Sequence, residues 1–403
     1  MNEQLLTPAM LAVLVAQFLS ALADNALLIA AIGLVKLLAG DDQLVPWLQA
    51  SFVLPFIVLA ALVGPFADTL PKGRVMLIAN SVKVVAGIGM ILCSQGAAPA
   101  WLPLAAYTLA GVGAALYSPA KYGILTQLFG PKLLVKANGL MEGSTIVAIL
   151  LGVLAGGWLV DHSLQQALFA ITGCYTLAAA LTLLIPQLPA EHPLDHFNPA
   201  ILAADFGKAL TTLFRDPWAR LSLLGTSLFW GSGSTLRLLL FAWAPLALGR
   251  HDAQTPANLM GAVSIGIVAG AALAARWVTL ETVRRALLGG LLLGLPVLLL
   301  AGTTNLWLAG ALLIGMGAAG GFFVVPLNAL LQQRGHRSVG AGHAIAVQNF
   351  AENGLMFAMA SLYGLTDTLL DPLQTTAGFG VLLLVAMAGL YATSRSQSNH
   401  SNK

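Results

Sequence analysis

An all-α integral membrane protein, with twelve crossing helices in two pseudo-symmetric bundles of six, is the fold class this sequence predicts. Three observations predict it. Of 403 residues, 58% are hydrophobic and only 9% charged, where a soluble domain carries about 25% charged residues. Apolar runs of spanning length recur along the whole chain. A glycine motif in the first half returns in the second.

A span needs about 20 apolar residues. Runs of that kind fall near 8–37, 44–67, 75–95, 101–120, 137–160 and 165–186, then 219–247, 257–276, 285–302, 306–330, 342–365 and 376–393. Little chain is left over, so no large soluble domain is expected. Met1-Asn2-Glu3-Gln4 carries no basic n-region, and the run after it is long enough to span, so a cleaved leader is not expected. Cys93 and Cys174 sit in apolar runs and read as small core residues.

Lysine and arginine set the orientation. With the N-terminus inside, fourteen basic residues fall in inner loops and the tail, and two, Lys36 and Arg250, fall outside. Both termini are therefore expected on the cytoplasmic side. The net charge of +3 is a topology signal of this kind and implies no nucleic-acid partner.

Residues 187–218 form the one long connection, punctuated by Pro189, Pro193, Pro199 and Pro217. Its middle predicts a short amphipathic helix: Asn198 as N-cap, Pro199 in the first turn, then Ile201, Leu202, Phe206, Leu210 and Phe214 on one side. Such a helix suits a membrane surface. The connection divides the chain into a bundle at 1–186 and a bundle at 219–393, with a polar, disordered tail expected at 394–403. Gly111-Val112-Gly113-Ala114-Ala115 recurs as Gly315-Met316-Gly317-Ala318-Ala319, each followed by a proline, Pro119 and Pro326. Small residues let helices approach closely, but matching spans in the two halves favour duplication.

Charges inside the apolar runs are the candidates for function. Asp24 and Asn25 interrupt the first run. A carboxylate at that depth costs about 2.5–3.5 kcal/mol on insertion scales unless it faces a cavity or a partner. Asp24 lies about 24 Å along a helix from Pro8, and Arg237 about 27 Å from Ala219, at 1.5 Å per residue. Similar depth on corresponding spans makes Arg237 the expected partner. Either the two divide a zwitterionic ligand between them, or they pair and hold the halves together. Lys121, near the inner end of the fourth span, reads as a second anion station or as a lysine reaching lipid phosphates. Glu142 lies at a similar level in the fifth span. Asn349 and Glu352 lie at helical spacing in the eleventh, as site or as helix–helix glue. Trp230, beside Phe229, packs either an acyl chain or a neighbouring helix. Lys83 in the third span calls for a buried carboxylate.

The loop Gly64-Pro65-Phe66-Ala67-Asp68-Thr69-Leu70-Pro71-Lys72-Gly73-Arg74 resembles the signature loop of the major facilitator superfamily, with Thr69 where a basic residue is usual. The resemblance implies two six-helix bundles, a cavity lined by the first, fourth, seventh and tenth spans, and a switch at Gly64, Asp68, Lys72 and Arg74. Asp68 would clamp the outward-facing state by contacting a helix start in the other half, whose N–H groups attract an anion. Tyr107 stands where proton-coupled members carry an arginine, and Gly152-Val153-Leu154-Ala155-Gly156-Gly157 lacks the proline of the drug antiporters.

Three further stretches together resemble the bacterial lysophospholipid transporters of that superfamily: Gln17 to Asn25, Tyr117 to Leu125, and Ser234-Thr235-Leu236-Arg237. The resemblance implies an inner-membrane flippase. It would move lysophosphatidylethanolamine and related lysolipids from the outer to the inner leaflet without ion coupling. A cytosolic acyltransferase/acyl-carrier-protein synthetase would then reacylate them. Arg237 would take the phosphate and Asp24 the ammonium, with Asn25 adding a hydrogen bond. A superfamily exporter of drugs or small polar solutes is the alternative. A monomer in contact with membrane lipids is expected. No Walker A loop, nucleophile elbow or zinc motif is found, so neither an enzyme nor a cofactor is expected. His192 and His196 flank Pro193 in the linker and do not read as a metal pair.

Overall fold

Lipid offers the backbone no hydrogen-bond partners, so an apolar run must satisfy its own amides as a helix. The computed structural model describes residues 5–39, 45–96, 98–99, 101–190, 198–250, 254–366 and 369–401. All its regular elements are helical. In order they are α1 (Pro8–Ala39), α2 (Val45–Val58), α3 (Ala60–Thr69), α4 (Lys72–Gln95), α5 (Leu102–Leu128), α6 (Pro131–His162), α7 (Leu164–Thr182), α8 (Pro199–Arg215) and α9 (Pro217–Leu248). There follow α10 (Gln254–Trp277), a 3-10 turn (Leu280–Arg285), α11 (Ala286–Leu291), α12 (Gly294–Ala301), α13 (Leu306–Ser338), α14 (Ala341–Thr366) and α15 (Pro372–Ser401).

Each of the twelve apolar runs falls on a helix or a broken helix. Among the described residues, eight helices are long and apolar enough to cross a membrane, nine if the bent pair α2–α3 counts as one. The other long helices, α5, α9 and α14, are those that carry Lys121, Arg237 and Glu352.

Two spans are broken. The second bends by 66° between α2 and α3; Pro55 and Pro65 flank the bend, and each removes an amide from the ladder. The ninth is assembled from the 3-10 turn, α11 and α12. Gly289, Gly290 and Gly294 loosen it, and a Cβ on Gly294 would lie 2.6 Å from the Gly380 carbonyl of α15, so close packing selects glycine there.

Helix ends follow their sequence signals. Asp216 Oδ1 accepts from the Trp218 and Ala219 amides at 2.8 and 3.2 Å, with Pro217 opening α9. Asn198 Oδ1 accepts from Ala200 at 3.0 Å and caps α8 where the sequence placed the cap. In α8, Leu202, Ala209 and Leu213 are buried, while Ile201 is exposed. The last helix, α15, runs to Ser401. His192 and His196 lie outside the described residues.

The chain forms two compact units. Unit 1 is Met1–Gly130, Ser144–Thr212 and Gly335–Phe350; unit 2 is Pro131–Gly143, Leu213–Arg334 and Ala351–Lys403. In unit 1 the first turns of α14 join the N-terminal helices because Asp68 holds them. In unit 2 the first turns of α6 join α13 because Asn138 and Glu142 bond to it. The apolar core of unit 1 is built from α1, α4, α5 and α7 around Leu27, Ala30, Met90, Ile171 and Tyr175.

Candidate functional site

Asp24 is held by two other helices. Its Oδ2 accepts from Lys83 Nζ of α4 at 2.7 Å, and its Oδ1 accepts from the Tyr175 hydroxyl of α7 at 2.8 Å. Lys83 Nζ also donates to Ser20 Oγ at 2.9 Å, and Ser20 donates to Asn80 Oδ1 at 2.8 Å. The lysine lies over the rings of Tyr117 and Tyr175, 5.3 and 5.7 Å from their centroids, a favourable place for a desolvated cation. Space for it comes from α5, where a Cβ on Gly113 would stand 2.6 Å from Lys83 Cγ and 2.7 Å from the Ala79 carbonyl. The first glycine repeat is thus more than a packing motif: Gly111 abuts the Phe52 backbone, and Gly113 admits the lysine.

Within unit 1 the ion-pair partner of Asp24 is therefore Lys83. Depth along a helix matched Asp24 to Arg237, but side-chain reach is decided by which helices pack. The lysine side chain is 2% exposed and that of Asp24 17%. Asp24 is thus partly exposed while its counter-ion is buried. Asn25 turns its amide back onto its own helix, donating to the Ala21 carbonyl at 2.8 Å.

The second acidic centre of unit 1 is Asp68. Its Oδ1 accepts from the Gly342 amide at 2.7 Å and from Lys72 Nζ at 2.7 Å; its Oδ2 faces the His343 amide at 3.1 Å and His343 Nδ1 at 2.9 Å. Gly340, at φ 94°, makes the left-handed turn that aims the first amides of α14 at the carboxylate. The helix start expected from the signature loop is the start of α14. Gly64 permits the approach, since its Cβ would fall 2.9 Å from His343 Cα. Lys72 is buried and also donates to the Ala67 carbonyl at 2.9 Å. Arg74 is exposed. Thr69, the departure from the usual pattern, donates to the Pro65 carbonyl at 2.7 Å.

The remaining candidates are dispersed. Lys121 stacks on Tyr122, 4.5 Å from its centroid. Asn349 Nδ2 donates to Ser118 Oγ at 3.0 Å, within unit 1. In unit 2, Glu142 is buried and accepts from Asn328 Nδ2 at 2.9 Å, one rung of a ladder whose next rung is Asn138 with Gln332 at 2.7 and 2.9 Å. Glu352 is buried, Arg237 is exposed, and Trp230 is half-buried with its ring 5.3 Å from Phe229. Sequence reasoning missed Tyr175 as a partner of Asp24, and Ser20 and Asn80 as the polar chain behind Lys83. Ser20 and Asn80 lie one helical turn before Asp24 and Lys83, a spacing that places each on its partner's face; Tyr175 left no local signal. Among the described residues no group of three His, Cys, Asp or Glu side chains is placed to hold a metal.

Asp68, behind a glycine and beside a basic turn, bonds to the start of α14. Residues 13–361 match the model of the Major Facilitator Superfamily, and the chain belongs to that superfamily. Among curated relatives, the Lysophospholipid transporter LplT of Serratia proteamaculans is 51% identical over 90% of both chains. The proteins of that name from Salmonella arizonae and Escherichia coli O1:K1 / APEC are each 48% identical over 98% of both. Solved structures of similar fold include the human organic anion transporter MFSD10, with a TM-score of 0.74 at 18% identity over 94% of this chain and 99% of that one. The FucP transporter in its outward conformation scores 0.70 at 13% identity, covering 96% and 97%.

Proposed function

We propose that the protein is a lysophospholipid transporter. It moves lysophosphatidylethanolamine and related lysolipids from the outer to the inner leaflet of a bacterial inner membrane, by alternating access and without ion coupling. The observation that carries this reading is the partly exposed carboxylate of Asp24, deep in a span, in a chain whose full-length relatives bear that name. A lysophosphatidylethanolamine head presents one ammonium and one phosphate. Asp24 suits the ammonium through its exposed part. Arg237, whose planar guanidinium grips phosphate in two places, suits the phosphate, and Lys121 a second phosphate station. Trp230 and Phe229 offer an apolar wall to the acyl chain. Glu142 and Asn349, bonded to neighbouring helices, serve the framework in this reading rather than the substrate, and Glu352 remains a polar candidate of α14. Two bundles, 1–186 and 219–393, would rock about the site. The clamp at Asp68 would hold the outward-facing state, the protein would act as a monomer with cytoplasmic termini, and a cytosolic acyltransferase/acyl-carrier-protein synthetase would consume the product.

Uptake of labelled lysophosphatidylethanolamine into spheroplasts tests the reading. Transport above an empty-vector control, undiminished by a protonophore, is expected. No uptake above that control sinks the substrate assignment, and collapse with the protonophore sinks gradient independence. Arg237→Ala is expected to abolish uptake with the protein still inserted. If exchanging the charges, Asp24→Arg with Arg237→Asp, restored full activity, the two would be a lock and not a split head-group site.

A further inference from the structure

A carboxylate buried in a span without compensation is neutralised by a proton. That is the simplest way for a membrane carrier to couple to protons. Asp24 is built otherwise. The groups facing it are Lys83 from α4, Tyr175 from α7, and Tyr107 and Tyr117 from α5, with Cys174 next to Tyr175. From α6 it is approached by Gly152 and Gly156, which pack on Leu22 and Ala26 and bring no titratable group. Lys83 is the one cation of this set.

We propose that Lys83 is a built-in counter-ion that stands where a proton would otherwise sit on Asp24, and that this makes transport independent of the proton gradient. The inference rests on Asp24 being the ammonium site. Its geometry is specific. The lysine is 2% exposed, so substrate meeting the exposed part of Asp24 does not displace it. Ser20 Oγ and the two tyrosine rings hold its ammonium in place, and Gly113 leaves the room for its stem. Neither member is stable alone, because a buried charge that loses its partner is strongly destabilising. The pair is neutral as a unit, so the charge of Asp24 is already balanced from within the bundle when an ammonium arrives.

The test uses the full chain in membranes, with two readouts. Dicyclohexylcarbodiimide adds to protonated carboxylic acids in apolar surroundings, and mass spectrometry of the peptide holding Asp24 reads the adduct. Uptake of labelled lysophosphatidylethanolamine is followed in parallel from about pH 6 to about pH 9, a range that brackets neutral proton exchange. Wild type and Lys83→Arg are expected to stay unlabelled at Asp24, with uptake unchanging over the range. Lys83→Met is expected to be labelled, with uptake falling by up to about tenfold for each pH unit lowered. Asp24→Asn combined with Lys83→Met is expected to regain thermal stability, with neither label nor uptake. Labelling of Asp24 in the wild type overturns the proposal, and so does a pH-independent Lys83→Met, whether active or dead. If Lys83→Met does not reach the membrane, labelling of the wild type decides by itself. A wild type that takes up no lysolipid defeats the substrate reading, while the labelling still decides whether Lys83 replaces the proton.

Discussion

Unit 1 holds two aspartate–lysine pairs of the same length, 2.7 Å, and they differ in how the acid is enclosed. Asp68 is fully enclosed, and both its oxygens are engaged, by Lys72, His343 and two amides of α14. Nothing is left over for a ligand. Asp24 has one strong donor on each oxygen and is partly exposed. The lysines differ in the same sense. Lys72 is four residues from its partner on adjoining helix ends, so the chain itself brings the pair together, whereas Lys83 reaches Asp24 across two separate spans. In the proposed reading, the aspartate saturated by backbone amides is a fastening, and the one left partly exposed beside its counter-ion is a receptor. Charge and burial alone do not tell the two apart.

Removing each acid breaks or sharpens that contrast, and carries the largest effects. Asp24→Ala and Asp68→Ala each strand a buried lysine, at a cost of about 3–5 kcal/mol, so both are expected to lower the unfolding temperature in detergent. Only Asp24→Ala is expected to abolish uptake outright at wild-type expression. Uptake retained by Asp24→Ala would put the two acids in one class and end the comparison.

Glycine substitutions act next, and on the fastening alone. A Cβ at Gly342 would meet Asp68 Oδ1 at 2.5 Å and the Gly64 carbonyl at 2.6 Å. Gly342→Ala should therefore part α3 from α14 at about 1–3 kcal/mol of overpacking. Loss of a disulfide cross-link engineered between those two helices would report it, with Asp24 labelling unchanged. Smallest is the ladder of unit 2. Asn328→Ala leaves Glu142 short of one hydrogen bond, at about 1–3 kcal/mol for a buried acceptor. It is expected to shift thermal stability and leave the affinity for lysolipid as it was; a changed affinity would return Glu142 to the substrate path.

Hydropathy is additive along the chain, because each residue carries its own cost of transfer into lipid. For that reason the spans, the superfamily loop and the anomalies at Asp24, Lys83 and Arg237 stood out in the sequence. The Asn198 cap of α8 was legible on the same ground, since a cap bonds within its own turn. Which charge meets which was not. Depth along a helix is a one-dimensional measure, and it matched Asp24 to Arg237. The pairing with Lys83, 59 residues away, and with Tyr175, 151 residues away, depends on α4 and α7 packing beside α1 and on Gly113 clearing space. Those are properties of surfaces in contact, set by tertiary structure. The sequence by itself determined that buried charges must exist and must be compensated; the packing of four helices decided that the compensation for Asp24 is an internal lysine.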